Sequence, residues 1–210
     1  MEYAEAPARL CEADPVLAVL IKANPDFDRR AWMKEFPRID SFGTLVFQVI
    51  GQQLSMSATR SILDRLQKLF SGRLPTPKEF LTTPRDDLRK TGLPRRKIEA
   101  FRTVAERFAD GHWKEEELWA LSDHEIENLF TAVSGIGPWT VHGFLIIAFG
   151  REDVVLAGDL ALRKVIRKIY EMDHLPNEVE VLQLAERWRR WHSLATGYLC
   201  DPHITASEIG

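Results

Sequence analysis

Apolar side chains recur along this chain at three- and four-residue intervals, the period of a helix with one buried face. No stretch alternates apolar and polar residues as a half-buried strand does. Residues 1–10 are weakly patterned and are expected to fray. Asp14-Pro15 reads as an N-cap and first helical residue, opening a helix through Val16, Leu17, Val19, Leu20 and Ile21 that Asn24-Pro25 stops. A second short helix is expected around Trp32, Met33 and Phe36, ended by Pro37. Ser41 reads as the N-cap of a helix carrying Phe42, Leu45, Val46, Val49 and Ile50. That helix is apolar on most sides and so is expected to be central. Gly51-Gln52-Gln53-Leu54-Ser55 interrupts it, and a further helix runs from Met56 to Phe70, closed by Gly72.

Thr76-Pro77-Lys78-Glu79 spells a capping box with proline at the first helical position, and Thr83-Pro84 opens another short helix that Gly92 ends. From Pro94 to Phe108 a longer helix turns Ile98, Phe101, Val104, Ala105 and Phe108 inward, leaving Arg95, Arg96, Lys97, Arg102 and Arg107 on its expected outer face. Ser122-Asp123-His124-Glu125 is a second capping box, leading through Ile126, Leu129 and Phe130 to a glycine hairpin. Pro138 then starts a helix through Trp139, Val141, Phe144, Leu145 and Ile147. Asp159 caps one with Leu162, Val165, Ile166 and Ile169 inward and Arg163, Lys164, Arg167 and Lys168 outward. Two final helices, over 178–188 and 190–200, place Trp188 and Trp191 in a core. The pattern predicts an all-α protein of about ten helices with short connections.

Composition narrows this picture without choosing a function. The 210 residues are 45% hydrophobic and 28% charged, enough for a sizeable core in one domain or two small lobes. A net charge of −3 gives no overall pull toward nucleic acid, so only local basic patches could supply one. Cys11 and Cys200 are the two cysteines, too few for a disulfide framework or an iron–sulfur cluster. The longest apolar run, Phe144 to Phe149, is far short of the about 20 residues that span a bilayer. The acidic start does not resemble a signal peptide. The expectation is a soluble, cytoplasmic, monomeric protein with no membrane partner.

Two stretches carry candidate chemistry. In Val133-Ser134-Gly135-Ile136-Gly137-Pro138-Trp139-Thr140, two glycines stand one residue apart between apolar helices. Gly135 and Gly137 allow close approach of a ligand backbone, and free N–H groups where Pro138 starts a helix make an anion site. Thr140 can add a hydroxyl. The motif reads either as a plain tight turn or as a helix–hairpin–helix that grips a phosphate. The second stretch, Leu156-Ala157-Gly158-Asp159, places one carboxylate ahead of a basic helix, either as a plain N-cap or as a reacting group.

Four blocks occur in register: residues 47–55 (Phe47 to Ser55), 133–140, 153–159 and 186–191 (Glu186 to Trp191). Together they resemble the helix–hairpin–helix DNA glycosylase superfamily and, within it, the AlkA-type 3-methyladenine DNA glycosylases. The resemblance covers about residues 14–200. It implies two helical lobes, 41–150 bearing the hairpin and 1–40 plus 151–210 forming the other, with an active-site cleft between them. The chain resembles the shorter bacterial form, without the β-rich N-terminal domain of the longer one.

The resemblance also implies roles. Asp159 matches the catalytic aspartate, whose carboxylate stabilises positive charge developing on the sugar and can orient water. Trp139 stands where bifunctional relatives carry a lysine nucleophile, which implies a monofunctional enzyme. Its indole suits cationic alkylated bases such as 3-methyladenine and 7-methylguanine. Gln53 matches the wedge that fills the gap left by the everted base. Gly135, Gly137, Thr140 and Lys97 would contact the DNA backbone. The main-chain carbonyls of Thr131, Val133 and Ile136 would hold a structural Na+ or K+, with no cofactor required. Gly143 and Cys200 stand where the longer form has pocket aromatics, which implies a more open base pocket, with Phe42, Trp32 or Phe144 taking over. The implied partner is double-stranded DNA with alkylated bases in base excision repair. A non-catalytic helix–hairpin–helix DNA-binding module and an endonuclease-III-like glycosylase/lyase are the alternatives.

Overall fold

The computed structural model describes residues 2–28, 40–52, 54, 56–201 and 204, the side chains of 2, 3 and 56 excepted. Its described residues form thirteen α-helices and one 3₁₀ turn, with no strand. They divide into two units, Met1–Glu35 with Gly150–Gly210, and Phe36–Phe149.

In the first unit, α1 (Glu2–Ala13) replaces the fraying expected at the N-terminus. Ala6 and Leu10, four residues apart, both bury on the core, and that contact holds a helix that local propensity alone would not. Next comes α2 (Pro15–Ala23), with Asp14 as its cap. The later helices of this unit are α11 (Leu160–Ile169), α12 (Glu178–Ala185) and α13 (His192–Cys200), with a 3₁₀ turn at Glu186–Trp188. Their common core includes Leu10, Leu17, Leu20, Leu162, Ile166, Val181, Trp188 and Leu199.

Asp14 sits inside that core with no exposed surface. Its Oδ1 accepts from the N–H groups of Val16 (3.0 Å) and Leu17 (3.2 Å). Its Oδ2 accepts from the Tyr170 hydroxyl (2.8 Å) and Trp188 Nε1 (2.9 Å). A buried carboxylate is tolerated when its lone pairs are used in this way. Burial, and then the bond to Asp14, push the Tyr170 phenol far up, so it remains a donor. Tyr170 is also the C-cap of α11, so Asp14 fastens the far end of the helix that Asp159 begins.

The second unit is built on α3 (Ser41–Gly51), which packs against α4 (Met56–Leu69), α7 (Arg95–Ala109) and α10 (Pro138–Ile147). Asp40, not Ser41, is the N-cap of α3, and its Oδ1 accepts from Gly43 N at 2.7 Å. A carboxylate is the stronger acceptor, and Ser41 is the first helical residue. The short helices α5 (Pro77–Thr82) and α6 (Arg85–Lys90) lie against α7. Both expected capping boxes form, at Thr76/Glu79 and Ser122/Glu125. The second opens α9 (Asp123–Thr131), which packs on α10. Between the boxes lies α8 (Glu115–Ala120), which was not among the expected elements, although three acids in its first turn suit a helix N-terminus. A run of aromatic contacts forms the core: Phe80 and Phe108 each meet Phe42 edge-on, and Trp113, Phe130, Phe144 and Phe149 continue it.

The helix expected around Trp32 lies outside the described residues. No helix among the described residues is long and apolar enough to cross a membrane.

Candidate functional site

The hairpin joins α9 to α10. Ile136 N donates to Val133 O at 3.0 Å, closing a turn whose third residue, Gly135, has φ +94°. An L side chain resists that left-handed region, which accounts for the first glycine. Gly137 is the N-cap of α10 and makes no side-chain cap, and Pro138 is the first helical residue. A Cβ on Gly137 would meet nothing within 4 Å, so the helix start opens onto free space. An N-terminus with no side-chain cap leaves main-chain N–H groups and the positive dipole end for an anion.

Thr131 ends α9, so the carbonyls that follow stand at the negative end of that helix. Val133 O already accepts Ile136 N, and a carbonyl keeps a second lone pair. Main-chain oxygens at Thr131, Val133 and Ile136 therefore have the chemistry a monovalent cation takes. Among the described residues there is no cluster of His, Cys, Asp or Glu that could hold a metal ion. His142 faces Glu127 at 3.3 Å.

Several candidate residues have work other than the expected one. Thr140 is fully buried, and its hydroxyl accepts from Gln52 Nε2, so it does not face a ligand. Gln52 Nε2 also donates to Gly135 O at 3.2 Å, tying the end of α3 to the hairpin. Lys97 is not on an outer face. It is buried, and its Nζ donates to Ile50 O (2.9 Å) and Gln52 O (3.0 Å). The amine neutralises the C-terminal carbonyls of α3, a favourable place for a cation. Burial, and next the charge of Arg96, lower its pKa. Phe42 and Phe144 are core residues with 1% and no exposed surface, so neither lines a base pocket. Their edge-to-face neighbours account for the burial.

Gly143 does not open a void. A Cβ there would lie 2.5 Å from Oε1, 2.7 Å from Cδ and 2.9 Å from Nε2 of Gln48. The amide of Gln48, from α3, occupies the room that an aromatic ring at 143 would need. Gln48 is only 6% exposed. Among the described residues its amide finds no hydrogen-bond partner. An amide left in that state costs about 1–3 kcal/mol. Sequence reading gave Gln48 no role; the signal was a long polar amide inside a strongly apolar helix.

Trp139 is half-buried on the first turn of α10. Gln53 lies outside the described residues.

In the first unit, Asp159 is held at three points. Its N–H donates to Leu156 O (2.8 Å), its carbonyl accepts from Arg163 N (3.0 Å), and Oδ1 accepts from Leu162 N (2.9 Å). It remains half-buried, unlike Asp14. The segment before it is fixed by Ser193, whose Oγ donates to Arg151 O at 2.8 Å and whose N–H donates to Glu152 O at 2.9 Å. Cys200 belongs to the same neighbourhood. Burial of the sulfur and the carboxylates of Asp159 and Asp201 push its thiol up to about 12. The residue as a whole is exposed, the two carboxylates disfavour a thiolate, and the sulfur stays a neutral thiol. Arg163, expected on the outer face, is half-buried and donates from Nε to Pro176 O at 2.6 Å.

Residues 46–190 match the family described as HhH-GPD superfamily base excision DNA repair protein, and the chain belongs to that family. Among its relatives is DNA-3-methyladenine glycosylase 1 of Schizosaccharomyces pombe, 31% identical over 76% of this chain and 71% of that protein. DNA-3-methyladenine glycosylase of Saccharomyces cerevisiae is 30% identical over 83% of this chain and 62% of that protein. The fold matches a solved structure of the S. pombe 3-methyladenine DNA glycosylase in complex with abasic DNA, with a TM-score of 0.83 at 28% identity, over 93% of this chain and 94% of that one.

Proposed function

We propose that the protein is a monofunctional DNA glycosylase that everts alkylated bases, 3-methyladenine and 7-methylguanine among them, from duplex DNA and hydrolyses the N-glycosidic bond in base excision repair. The observation that carries the reading is Asp159: its carboxylate is fixed by the Leu162 N–H while the residue stays half-buried, in a family whose relatives are named 3-methyladenine glycosylases.

In this mechanism each group has one task. Alkylation at a ring nitrogen makes the base cationic and a better leaving group. The indole of Trp139 attracts that cation through its π face. As the C–N bond breaks, positive charge spreads over the sugar, and the preorganised Asp159 carboxylate stabilises it. Water adds to the sugar carbon with its proton passing to Asp159, and the base departs neutral. No amine nucleophile stands at position 139, so the strand stays unbroken. Gln53 fills the gap left by the everted base. The uncapped start of α10 at Gly137 takes a phosphate, and the fixed Gly135 turn presents it. The carbonyls of Thr131, Val133 and Ile136 would hold a Na+ or K+, which would supply fixed positive charge to the hairpin, and the reaction needs no further cofactor. Cys200, a neutral thiol, lines the region around Asp159 without reacting. Monomeric action on the genome in the cytoplasm completes the proposal.

The test is incubation with methylated duplex DNA and chromatography of what is released. Free 3-methyladenine with strands intact until alkali treatment is expected. A covalent adduct trapped by borohydride would instead favour the lyase alternative, and no release at all a binding module.

A further inference from the structure

The Gln48 amide and Gly143 form a matched pair with no counterpart in the mechanism above. Glycine at 143 leaves room that the amide fills, and a Cβ there would collide with all three of its terminal atoms. Trp139 and Gly143 are four residues apart on α10, so they share one face, one above the other. The amide therefore abuts the helix face that bears the indole. It is 94% buried and finds no hydrogen-bond partner among the described residues. A buried polar group with unused donors and an unused acceptor calls for a partner from outside the fold.

We propose that Gln48 is a specificity-determining residue whose amide hydrogen-bonds the edge of the base lying on Trp139. The inference rests on the glycosylase function proposed above and names a preference within it. A glutamine amide pairs with adenine in two places, giving Nε2–H to N7 and accepting N6–H on Oε1. Methylation at N3 leaves both positions available. Methylation of guanine at N7 removes the acceptor and puts a methyl group in its place. Gln48 thus selects N3-methylated adenine over N7-methylated guanine. Both bases are labile for reasons of their own, so the informative quantity is how the ratio of their release rates changes with residue 48.

The experiment measures single-turnover release of both bases from one methylated duplex by the unaltered protein and by Gln48→Met, with melting temperatures alongside. Methionine keeps the length and loses both hydrogen bonds. Release of 3-methyladenine is expected to fall about 10- to 100-fold, and that of 7-methylguanine to change by less than about threefold. Equal losses for both bases, or no change in either, overturn the role of Gln48. If Gln48→Met does not fold, Gly143→Ala serves, because its Cβ displaces the amide without deleting it; the same selective loss is expected, and an unchanged ratio overturns the proposal. An unaltered protein that releases neither base refutes the glycosylase function first and this inference with it. One that releases both while the variants keep the ratio refutes Gln48 alone.

Discussion

Asp14 and Asp159 occupy the same local position at the starts of α2 and α11, yet their surroundings separate them. Both accept main-chain N–H bonds as N-caps. Asp14 is sealed in the core and gives its second oxygen to Tyr170 and Trp188. Asp159 is half-buried, with Oδ1 held by the Leu162 N–H and the neutral Cys200 thiol nearby. A local sequence signal, aspartate before a helix, is the same at both sites. What separates the sealed carboxylate from the half-buried one is burial, which belongs to tertiary structure.

Substitutions that remove one role and leave the other sharpen this contrast. The largest stability effect is expected at Asp14. Replacing it with Ala strands two buried donors and removes a cap, at about 1–3 kcal/mol for each unsatisfied group and about 1 kcal/mol for the cap. Urea unfolding should show a loss of about 3 kcal/mol or more, while base release per folded molecule holds. If Asp14→Ala instead abolished release with stability intact, the assignment of roles would be reversed. Lys97→Met comes next. It strips the Ile50 and Gln52 carbonyls of a charged donor, and a loss of about 2 kcal/mol is expected by urea unfolding. The salt dependence of DNA affinity should stay unchanged, and a slope shallower by one phosphate contact would put Lys97 back on the DNA.

Gly135→Ala forces a side chain into φ +94°, at a cost of about 1–2 kcal/mol. Its effect should show in weakened abasic-DNA binding before it shows in melting. The smallest effect is at a third helix start. Arg73 first, then Thr76, hold Glu79 down to about 2. A depressed carboxylate contributes stability that is present above its unfolded pKa of about 4.3 and is lost as pH falls toward 2. Glu79→Gln should lower stability at neutral pH, where the carboxylate contributes fully, and flatten the profile across that acid window, so that the two proteins converge near pH 2. A change at pH 3 that equals or exceeds the change at pH 7 would contradict this.

Helix starts were the most legible part of the fold, because a cap is a local transaction. The Thr76 and Ser122 boxes, Asp14-Pro15 and Asp159 all act where the sequence places them. Orientation was less legible. Lys97 is three residues before Ala100, four before Phe101 and seven before Val104, on the stripe that buries, but its charge argued for solvent until the carbonyls of α3 were in view. Phe42 reads equally well as pocket or core, and only Phe80 and Phe108 decide it. The glycine at 143 suggested an emptied pocket because Gln48, 95 positions earlier, cannot be paired with it from spacing (143 − 48). At the N-terminus, Ala6 and Leu10 offered too thin a stripe to predict α1 without its core partners.

The most direct test of the account compares Asp159→Asn with the unaltered protein on the same methylated duplex. Asparagine caps a helix as well as aspartate does, so melting temperature and abasic-DNA binding should hold. Release of 3-methyladenine should fall by about 100-fold or more as the carboxylate charge is lost. Near-normal release by Asp159→Asn, with folding unchanged, would leave Asp159 as a helix cap and nothing more.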